Sequence, residues 1–457
     1  MLMKILFTIV ILICSFPACT FAKYVSPEQF GAKGDGVSDD TRYFEDAINT
    51  GLDISLNNKT YRIRDISLKK AQRIIAKQGA IIMYHSITLF EGCSLKNITL
   101  DGQWNTRGVT VLGNNVSITG CKFLRTKNSL SSFGGLTSAL WIGRYQDLDD
   151  RIISCKNVRV ENCLFDGCEP YNLNLDLSNN TTVARCILSY GCYNLSIIGC
   201  VFRNLKGHWD SDYIQLRSFE EDNEKAPFFD ENPEWRGPSP PFYGTCYSDA
   251  KAVINRCIFY QTDCKSSIKI MSGNILVKNN QFIVENNEKD KQIYSVVRCH
   301  RTSNVSISKN SILVKFGDVN SPFVVTNCLN VFIDKNSVNC YPNAFMSSSI
   351  DVKYSKDCII KNNSFESNQC GALLNTEYNY YLCVEKNVFT IRNETVRNIE
   401  LFVQQSNHYA YPSKVGGGLS FRNNVMRVTD FREDLININN QYDYPANYKN
   451  NRLKYID

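Results

Sequence analysis

The hydrophobic and polar positions of the chain repeat along most of its length. One segment, apolar-x-apolar-x-x-(Cys or Asn)-x-(Phe or aliphatic), occurs ten times, for example as VSITGCKF, LSIIGCVF and VSISKNSI. The residues at its sixth position are Cys121, Cys163, Cys200, Cys257, Asn280, Asn310, Asn336, Asn363, Asn387 and Asn424. Between Cys257 and Asn387 they are 23 to 30 residues apart. Because apolar and polar residues alternate within each copy, the pattern predicts short β-strands joined by polar turns.

A single copy of this repeat cannot bury its apolar face alone. Stacked as coils about 4.8 Å apart, the copies would bury one continuous core and pair each strand with its neighbours. The pattern therefore predicts an all-β protein, a single-stranded right-handed parallel β-helix that forms one domain over residues 23–457. An inward Asn at a turn can hydrogen-bond to the backbone of the next coil, which satisfies buried polar groups.

The cysteines fall at repeat positions, so we interpret them as small buried residues rather than as a disulfide framework. The sequence contains 19 cysteines, two of which precede residue 20. No pair has the close CxxC spacing of a zinc site. Disulfides between adjacent coils remain an alternative, because an oxidising compartment would allow them.

The two ends of such a stack need covers. Near the N-terminus, SDDTRYFEDAINTG predicts a capping helix with Ser38 or Asp39 as its N-cap and Gly51 at its end. Its core-facing residues would be Phe44, Ala47 and Ile48. We expect residues 23–55 to form the N-terminal cap and the polar tail within residues 428–457 to form the C-terminal cap.

The first 22 residues resemble a cleaved secretory signal. Lys4 precedes an apolar run, and small residues lead to a cleavage site near Ala22. The run is too short to span a membrane, and no later segment is long and apolar enough. The sequence thus predicts an exported protein, with periplasm, cell surface and free secretion left open; a lipid anchor on Cys19 is a weaker alternative. A net charge of +6 is too small to indicate a nucleic-acid partner. The sequence leaves open whether the protein is a monomer or a homo-oligomer.

The stretch FGAKGDGVSDDT, residues 30–41, resembles the N-terminal signature of the pectate-lyase superfamily. This superfamily includes rhamnogalacturonases, polygalacturonases, epimerase-like proteins and phage tailspikes. Together with the repeats, the resemblance covers Tyr24 to about Arg427. It implies the β-helix fold but leaves the reaction open, because such folds host hydrolases, lyases, epimerases and non-catalytic binders.

Two internal segments are similar to motifs of polygalacturonase-like enzymes. DSDYIQL, residues 210–216, is similar to a motif of the form NTDGIDI, and this match places Asp212 at its catalytic carboxylate. KSSIKIMSG resembles DDCIAIKSG, but Lys265 and Ser266 replace its paired aspartates. A GHW segment keeps only the Gly-His of a third motif, GHG, and no RIK motif is present.

A further strand follows the repeat in each coil, as in ALWIGR, NLNLDLS, YIQLRS and SIKIMS. Alternation would turn Ile214 and Ile268 inward and their neighbours outward. The predicted outward residues, which we expect to bind substrate or to act in catalysis, are Trp141, Asn174, Asp176, Gln215, Arg217, Lys269, Arg298 and His300. Arg and Lys at coil spacing can bind uronate carboxylates, so the stripe predicts an acidic polysaccharide as partner. The alternative is that these residues are polar only because they face water.

A long insertion, residues 218–249, follows the DSDYIQL strand and is rich in aromatic residues and proline. Loops of this length without secondary structure are usually functional or disordered, and the aromatics argue against disorder. We expect it to form one wall of a groove, with Trp235 as a sugar-stacking ring; packing on the solenoid flank fits its composition equally. Just before it, GHWDSDYIQLR contains the predicted catalytic cluster of His208, Asp210 and Asp212.

Two reactions fit these residues. In a glycoside hydrolase one carboxyl protonates the glycosidic oxygen while another activates water or attacks, and Asp212 with Asp210, or with Asp176 of the preceding coil, would form the pair. In a uronate lyase or epimerase a base would remove the proton beside the carboxylate, with calcium held by aspartates as a conceivable cofactor. Candidate bases are Lys269, Arg217 and His208. The DSDYIQL similarity favours the hydrolase, and a non-catalytic glycan-binding or surface structural protein is the third class.

Overall fold

In a computed structural model of the 457-residue chain, most described residues form parallel β-strands. The structure describes residues 24–77, 79–127, 137–146, 151–170, 183–191, 193–207, 210–217, 251–286, 293–377, 379–392, 401–405, 419–428 and 447–455. The chain passes repeatedly through three stacked parallel sheets, which we call sheets A, B and C. This arrangement is the parallel β-helix that the repeat predicted.

The strands of each sheet follow chain order along the stack. Sheet A is formed by Tyr24–Val25, Asp53–Leu56, Arg73–Ala76, Ser94–Lys96, Ser117–Thr119, Arg159–Glu161, Leu195–Ile198, Ala252–Asn255, Ile275–Lys278, Ser303–Ser308, Leu329–Asp334, Lys356–Lys361, Tyr380–Glu385, Leu419–Arg422 and Asn447–Lys449. Sheet B is formed by Asp35–Asp39, Thr60–Arg62, Ile81–Met83, Thr99–Asp101, Lys122–Lys127, Leu164–Glu169, Val201–Leu205, Ile258–Gln261, Gln281–Glu285, the first part of Ser311–Thr326, Ser337–Cys340, Ser364–Ser367, Val388–Ile391, Val425–Val428 and Arg452–Tyr455.

Sheet C carries the candidate site described below. It is formed by Asp65–Ser67, Ser86–Leu89, Gly108–Val111, Thr137–Ile142, Ala184–Tyr190, Asp212–Arg217, Ser266–Met271, Ile293–His300, the second part of Ser311–Thr326, Ala344–Ser348, Ile350–Lys353, Cys370–Glu377 and Leu401–Gln405. The remaining described elements are a 3-10 helix, Pro27–Phe30, an α-helix, Thr41–Asn49, and an antiparallel hairpin of Arg144–Gln146 with Arg151–Ile153.

The core is a continuous stack of apolar side chains between the sheets. The eighth repeat position supplies a row of phenylalanines whose neighbouring ring centroids lie 4.6, 5.0, 4.7 and 4.8 Å apart. This row consists of Phe123, Phe165, Phe202, Phe259 and Phe282. Stacking of identical side chains at the coil spacing removes their apolar area from water, so the row stabilises the register between coils.

The Cys/Asn position forms a buried column, as the repeat predicted; all ten of its residues are buried. In the asparagine part, the Asn310 backbone N–H donates to Oδ1 of Asn336 at 2.9 Å, and its Nδ2 donates to the Val277 carbonyl at 3.0 Å. The same bonds continue to Asn451, an eleventh member outside the ten copies, because the Asn424 backbone N–H donates to its Oδ1 at 3.0 Å. Each asparagine therefore links three coils.

The residue before each column member turns the chain from sheet A into sheet B. At all eleven positions its φ lies between 53° and 64°, the left-handed region. These residues are Gly120, Asn162, Gly199, Arg256, Asn279, Lys309, Lys335, Asn362, Lys386, Asn423 and Asn450. Glycine and asparagine adopt this conformation at low cost, which explains their frequency here.

The ends of the stack differ in detail from the sequence-based expectations. The helix buries Phe44, Ala47 and Ile48 as predicted, but its N-cap is Asp40, one residue after Asp39. At the other end, Asn447–Lys449 and Arg452–Tyr455 pair with the preceding strands of sheets A and B. The expected polar cap over residues 428–457 therefore contains a further coil of the β-helix.

The cysteines that the structure describes are all free thiols, and every one except Cys383 is buried. This agrees with their interpretation as small core residues. Burial raises the pKa of the Cys155 and Cys370 thiols to about 11. Among the residues described, no helix has the length and apolar character needed to cross a membrane. The predicted signal, residues 1–22, lies outside the described residues.

Candidate functional site

The outward side of sheet C brings together several residues that the sequence assigned to substrate binding. Parallel pairing aligns Gln215 with Lys269, and Lys269 with Arg298, on three successive coils. Trp141 lies in the same register two coils before Gln215. Arg217 and His300 occupy the next outward positions of their strands. The register therefore aligns these residues as expected, but Gln215 is fully buried and Lys269 is only 6% exposed, so their contact with a substrate stays a prediction.

One strand of this sheet was predicted in the wrong place. The strand that pairs with Asp212–Arg217 is Ala184–Tyr190. The sequence pattern had predicted that NLNLDLS, residues 172–178, would form this strand. Leu188, a buried apolar residue, thus fills the register place between Trp141 and Gln215. Asn174 and Asp176, which were predicted on the outward side of this strand, lie outside the described residues.

This strand contributes Arg185, a residue that the sequence reading missed. Arg185 pairs in register with Asp212, is only 2% exposed and is one of the large, fully buried side chains among those described. Desolvation, and then the charge of Arg217, lower the pKa of its guanidinium. An arginine in the otherwise apolar run VARCIL was the available signal, because a buried cation normally has a partner.

Asp210 is the anion at the centre of the site. It accepts a hydrogen bond from Lys269 Nζ, and its Oδ2 lies 3.3 Å from Nη2 of Arg185. Nη1 of Arg298 lies 3.9 Å from its Oδ1. Burial acts to raise the pKa of Asp210, but the charges of Lys269 and Arg185 outweigh it and lower that pKa. Asp210 is therefore held as a carboxylate.

Asp212, two residues further on, has the opposite environment. It is 0% exposed, and neither of its carboxyl oxygens has a hydrogen-bond partner. Burial, and next the negative charge of Asp210, raise the pKa of Asp212 to about 7. A neighbouring carboxylate and a dry site both favour the protonated form. The structure thus sets one ionised and one protonatable carboxyl side by side.

The surrounding groups give the site an excess of positive charge. Lys269 and Lys265 have lowered pKa values, primarily because of burial. The guanidinium of Arg298 and the amine of Lys265 lie over the ring of Tyr294, at 4.8 and 5.0 Å from its centroid. Burial, followed by the charge of Arg298, lowers the pKa of His300 to about 3, so His300 is neutral near neutral pH.

Buried polar atoms without a hydrogen-bond partner concentrate on this surface of the described structure. They include Nε and Nη1 of Arg185, both carboxyl oxygens of Asp212, Oε1 of Gln215, Nε of Arg217, Nε of Arg298 and Nδ1 of His300. Most buried polar atoms in proteins are paired, so such a cluster calls for an explanation. Donors and acceptors at this density are suited to a ligand rich in hydroxyl or carboxylate groups.

His208, Trp235 and the insertion 218–249 lie outside the described residues, as do Asn174 and Asp176. The residues around the two carboxyls do not fit the calcium ion of the lyase alternative, because Lys269, Arg185 and Arg298 already surround Asp210. In the part of the chain that the structure describes, no three His, Cys, Asp or Glu side chains group as metal ligands.

Comparison with models of known families finds no match, and a search of curated proteins finds none. Several solved structures are similar in fold. A tailspike protein mutant of E. coli bacteriophage HK620, in complex with a pentasaccharide, is 12% identical with a TM-score of 0.51, over 94% of this chain and 78% of the tailspike chain.

Two further solved structures are similar at lower TM-scores. PfbA, a surface adhesin of Streptococcus pneumoniae, is 14% identical over 95% of this chain and 93% of the adhesin, with a TM-score of 0.46. The hyperthermoactive exopolygalacturonase of Thermotoga maritima is 13% identical over 84% of this chain and 91% of the enzyme, with a TM-score of 0.47. The tailspike has the highest TM-score of these three, and this comparison supports a shared fold, the parallel β-helix.

Proposed function

We propose that the protein is a glycoside hydrolase acting on an acidic, uronate-containing polysaccharide outside the cytoplasm. The observation that carries the proposal is the divergence of two neighbouring carboxyl groups. The pKa of Asp212 is raised to about 7, whereas the pKa of Asp210 is lowered. Two carboxyls whose environments separate their pKa values are the usual basis for an acid and a base in one site.

The two groups would divide the reaction as follows. Protonated Asp212 donates its proton to the glycosidic oxygen as the carbon–oxygen bond breaks, and water attacks the anomeric carbon. Asp210 accepts the proton that this water loses. For this transfer the sugar chain must reach Asp212, whose carboxyl is shielded from solvent in the free protein.

The cations around the pair support an acidic substrate. Arg217, Lys269 and Arg298 lie on three neighbouring coils. The planar guanidinium of an arginine can bind a carboxylate through two parallel hydrogen bonds. The tailspike named above, which is similar in fold, was solved in complex with a pentasaccharide. A bound oligosaccharide on this fold is consistent with a polysaccharide as substrate.

Elimination by a basic residue is less well supported. A lyase needs a base that is free to accept a proton. Burial lowers the pKa of the Lys269 amine, but this amine is engaged by Asp210, to which it donates a hydrogen bond. Among the described residues, the cations around Asp210 also do not suit a metal beside the carboxylates.

A polysaccharide screen tests the proposal. Polygalacturonate, other acidic polysaccharides and neutral polysaccharides are incubated with the protein, and new reducing ends are measured together with the ultraviolet absorbance of unsaturated uronates. We expect reducing ends without absorbance, and loss of activity by about 100-fold or more in Asp212→Asn.

Asp334→Asn serves as the matched control, because Asp334 is a buried carboxyl on sheet A, away from the site. Absorbance that rises with the reducing ends would replace hydrolysis by elimination. Binding without any turnover would favour a glycan-binding protein.

A further inference from the structure

One register position of sheet C carries two buried charges where the neighbouring coils carry serine. In six consecutive coils this position is occupied in turn by Ser138, Arg185, Asp212, Ser266, Ser295 and Ser321. All six side chains are buried. A small hydroxyl is therefore sufficient for the fold at this position, whereas burial of a charge carries a large desolvation cost. Because the coils form without charges here, the Arg185–Asp212 pair is better explained by a role in the site.

The guanidinium of Arg185 is only partly used in the free protein. Its Nη2 donates to the backbone carbonyl and to Oδ2 of Asp210, at 3.4 and 3.3 Å. Its Nε and Nη1 are buried without a hydrogen-bond partner, and so are both carboxyl oxygens of Asp212. Unpaired donors on one coil thus lie at the same register as unpaired acceptors on the next coil. Ionisation of Asp212 should pair them, because a guanidinium bonds more strongly to a carboxylate than to a neutral acid.

The proposed reaction moves negative charge from one carboxyl to the other. Before cleavage Asp210 is ionised and Asp212 is protonated. As the glycosidic oxygen takes the proton of Asp212, Asp210 takes a proton from the attacking water, so Asp212 is then the anion and Asp210 the neutral acid. Return of the proton from Asp210 to Asp212 by way of solvent restores the resting state. During this cycle a buried Asp212 carboxylate needs a cation close to it.

Arg185 is the cation best placed for that role. Lys269 donates to Asp210, and the guanidinium of Arg298 lies over the ring of Tyr294; both cations belong to coils after that of Asp212. Arg185 lies at the register of Asp212 itself, and its bond to Asp210 keeps it beside both carboxyls. The other charged or titratable groups around the pair, among the described residues, are Lys265, Lys269, Arg298, Arg217, His300 and Cys264.

We propose that Arg185 is a positioning residue that serves both carboxyls in turn. It holds Asp210 in the resting protein, and it becomes the counter-ion of Asp212 once Asp212 has given up its proton. This inference rests on the proposed function, because the reaction is what removes the proton from Asp212. Raising the pH ionises the same group without a substrate, so the contact between Arg185 and the Asp212 carboxylate can be tested separately from the reaction.

Infrared pH-difference spectra of the free protein provide the test. The carbonyl stretching band of protonated Asp212, assigned by its loss in Asp212→Asn, should titrate with a midpoint of about pH 7 in the wild type. Arg185→Met removes the cation, so the midpoint should move to higher pH by about one unit or more, whereas Arg185→Lys keeps the charge and should hold it within about half a unit. Arg73→Met is the matched control, because Arg73 donates to Asp53 on sheet A and should leave the midpoint unchanged.

A second measurement does not require that the methionine variant folds. The guanidinium N–H resonance of Arg185, assigned by its loss in Arg185→Lys, should shift with the same midpoint of about pH 7, and Asp212→Asn should remove this shift. An infrared midpoint that Arg185→Met leaves in place, or an Arg185 resonance that does not respond to Asp212, would overturn the role of Arg185 even in a protein that hydrolyses a polysaccharide. Both responses in a protein without any hydrolysis would support the pairing of Arg185 with Asp212 and overturn only the proposed reaction.

Discussion

Replacement of Asp212 by Asn should change how the stability of the protein depends on pH. The pKa of Asp212 rises from an ordinary 3.8 to about 7 on folding, because of burial and then the charge of Asp210. The native protein therefore binds this proton more tightly than the unfolded chain does. As the pH rises from about 4 to about 7, the free energy of unfolding falls by about 3 kcal/mol on account of this one group.

The asparagine variant has no proton to lose at this position, so it should lack this component. Between about pH 5 and about pH 8 the unfolding free energy of the wild type should fall by about 2 to 3 kcal/mol more than that of Asp212→Asn. The assay is urea unfolding at both pH values, and Asp334→Asn serves again as the control. Other titrating groups are common to both proteins and cancel in the difference. An identical pH dependence in wild type and Asp212→Asn would refute the idea that a protonated carboxyl is buried here.

Four other outcomes are expected. Lys269→Met removes the closest cation of Asp210, so the pKa of Asp210 should rise and the acidic limb of the kcat/KM–pH profile should move to higher pH; an unmoved limb would contradict this role. Asn336→Ala removes side-chain bonds that link three coils and should cost about 3 kcal/mol in urea unfolding, whereas Asn339→Ala, at an exposed strand position, should cost under about 1 kcal/mol; equal losses would count against the column. Phe202→Ala, which leaves a cavity within the stacked row, should cost about 3–5 kcal/mol, and a loss below about 1 kcal/mol would show that the row is loosely packed. Iodoacetamide should leave the buried thiols of the native protein unmodified and label them only after unfolding, as judged by mass spectrometry; rapid labelling of the native protein would contradict their burial.

The fold could be predicted from the sequence because the determining interactions recur at each coil. The Cys/Asn position, the phenylalanine two residues later and the alternating aliphatic residues each form one physical column in the structure. The left-handed turn residue before the column was also present in the sequence, as Gly, Asn, Lys or Arg, but its mixed chemistry hid the common conformation. The eleventh column member, Asn451, was missed because it was taken as part of a polar tail.

The site was predicted where alternation alone decides orientation, as for Gln215, Lys269 and Arg298. It was missed where a coil contains more than one segment that could be a strand. NLNLDLS alternates well between apolar and polar residues, but Ala184–Tyr190 forms the strand. Arg185 in this strand precedes its partner Asp212 by 27 residues, which is within the normal repeat spacing. Because this strand was not predicted, the position of Arg185 in the site was not predicted either. The opposite pKa shifts of Asp210 and Asp212 could not be predicted from sequence, because they depend on which cations the stacked coils bring near each carboxyl.

The most direct test of the account is the origin of the oxygen on newly formed sugar ends. Cleavage of a polysaccharide found in the screen is run in water enriched in oxygen-18, and the products are analysed by mass spectrometry within minutes, before reducing ends exchange. Hydrolysis should leave one labelled oxygen on each new reducing end made by the wild-type protein, and Asp212→Asn should make almost no product. Unlabelled, unsaturated products, or unchanged cleavage by Asp212→Asn, would contradict hydrolysis by the Asp210–Asp212 pair.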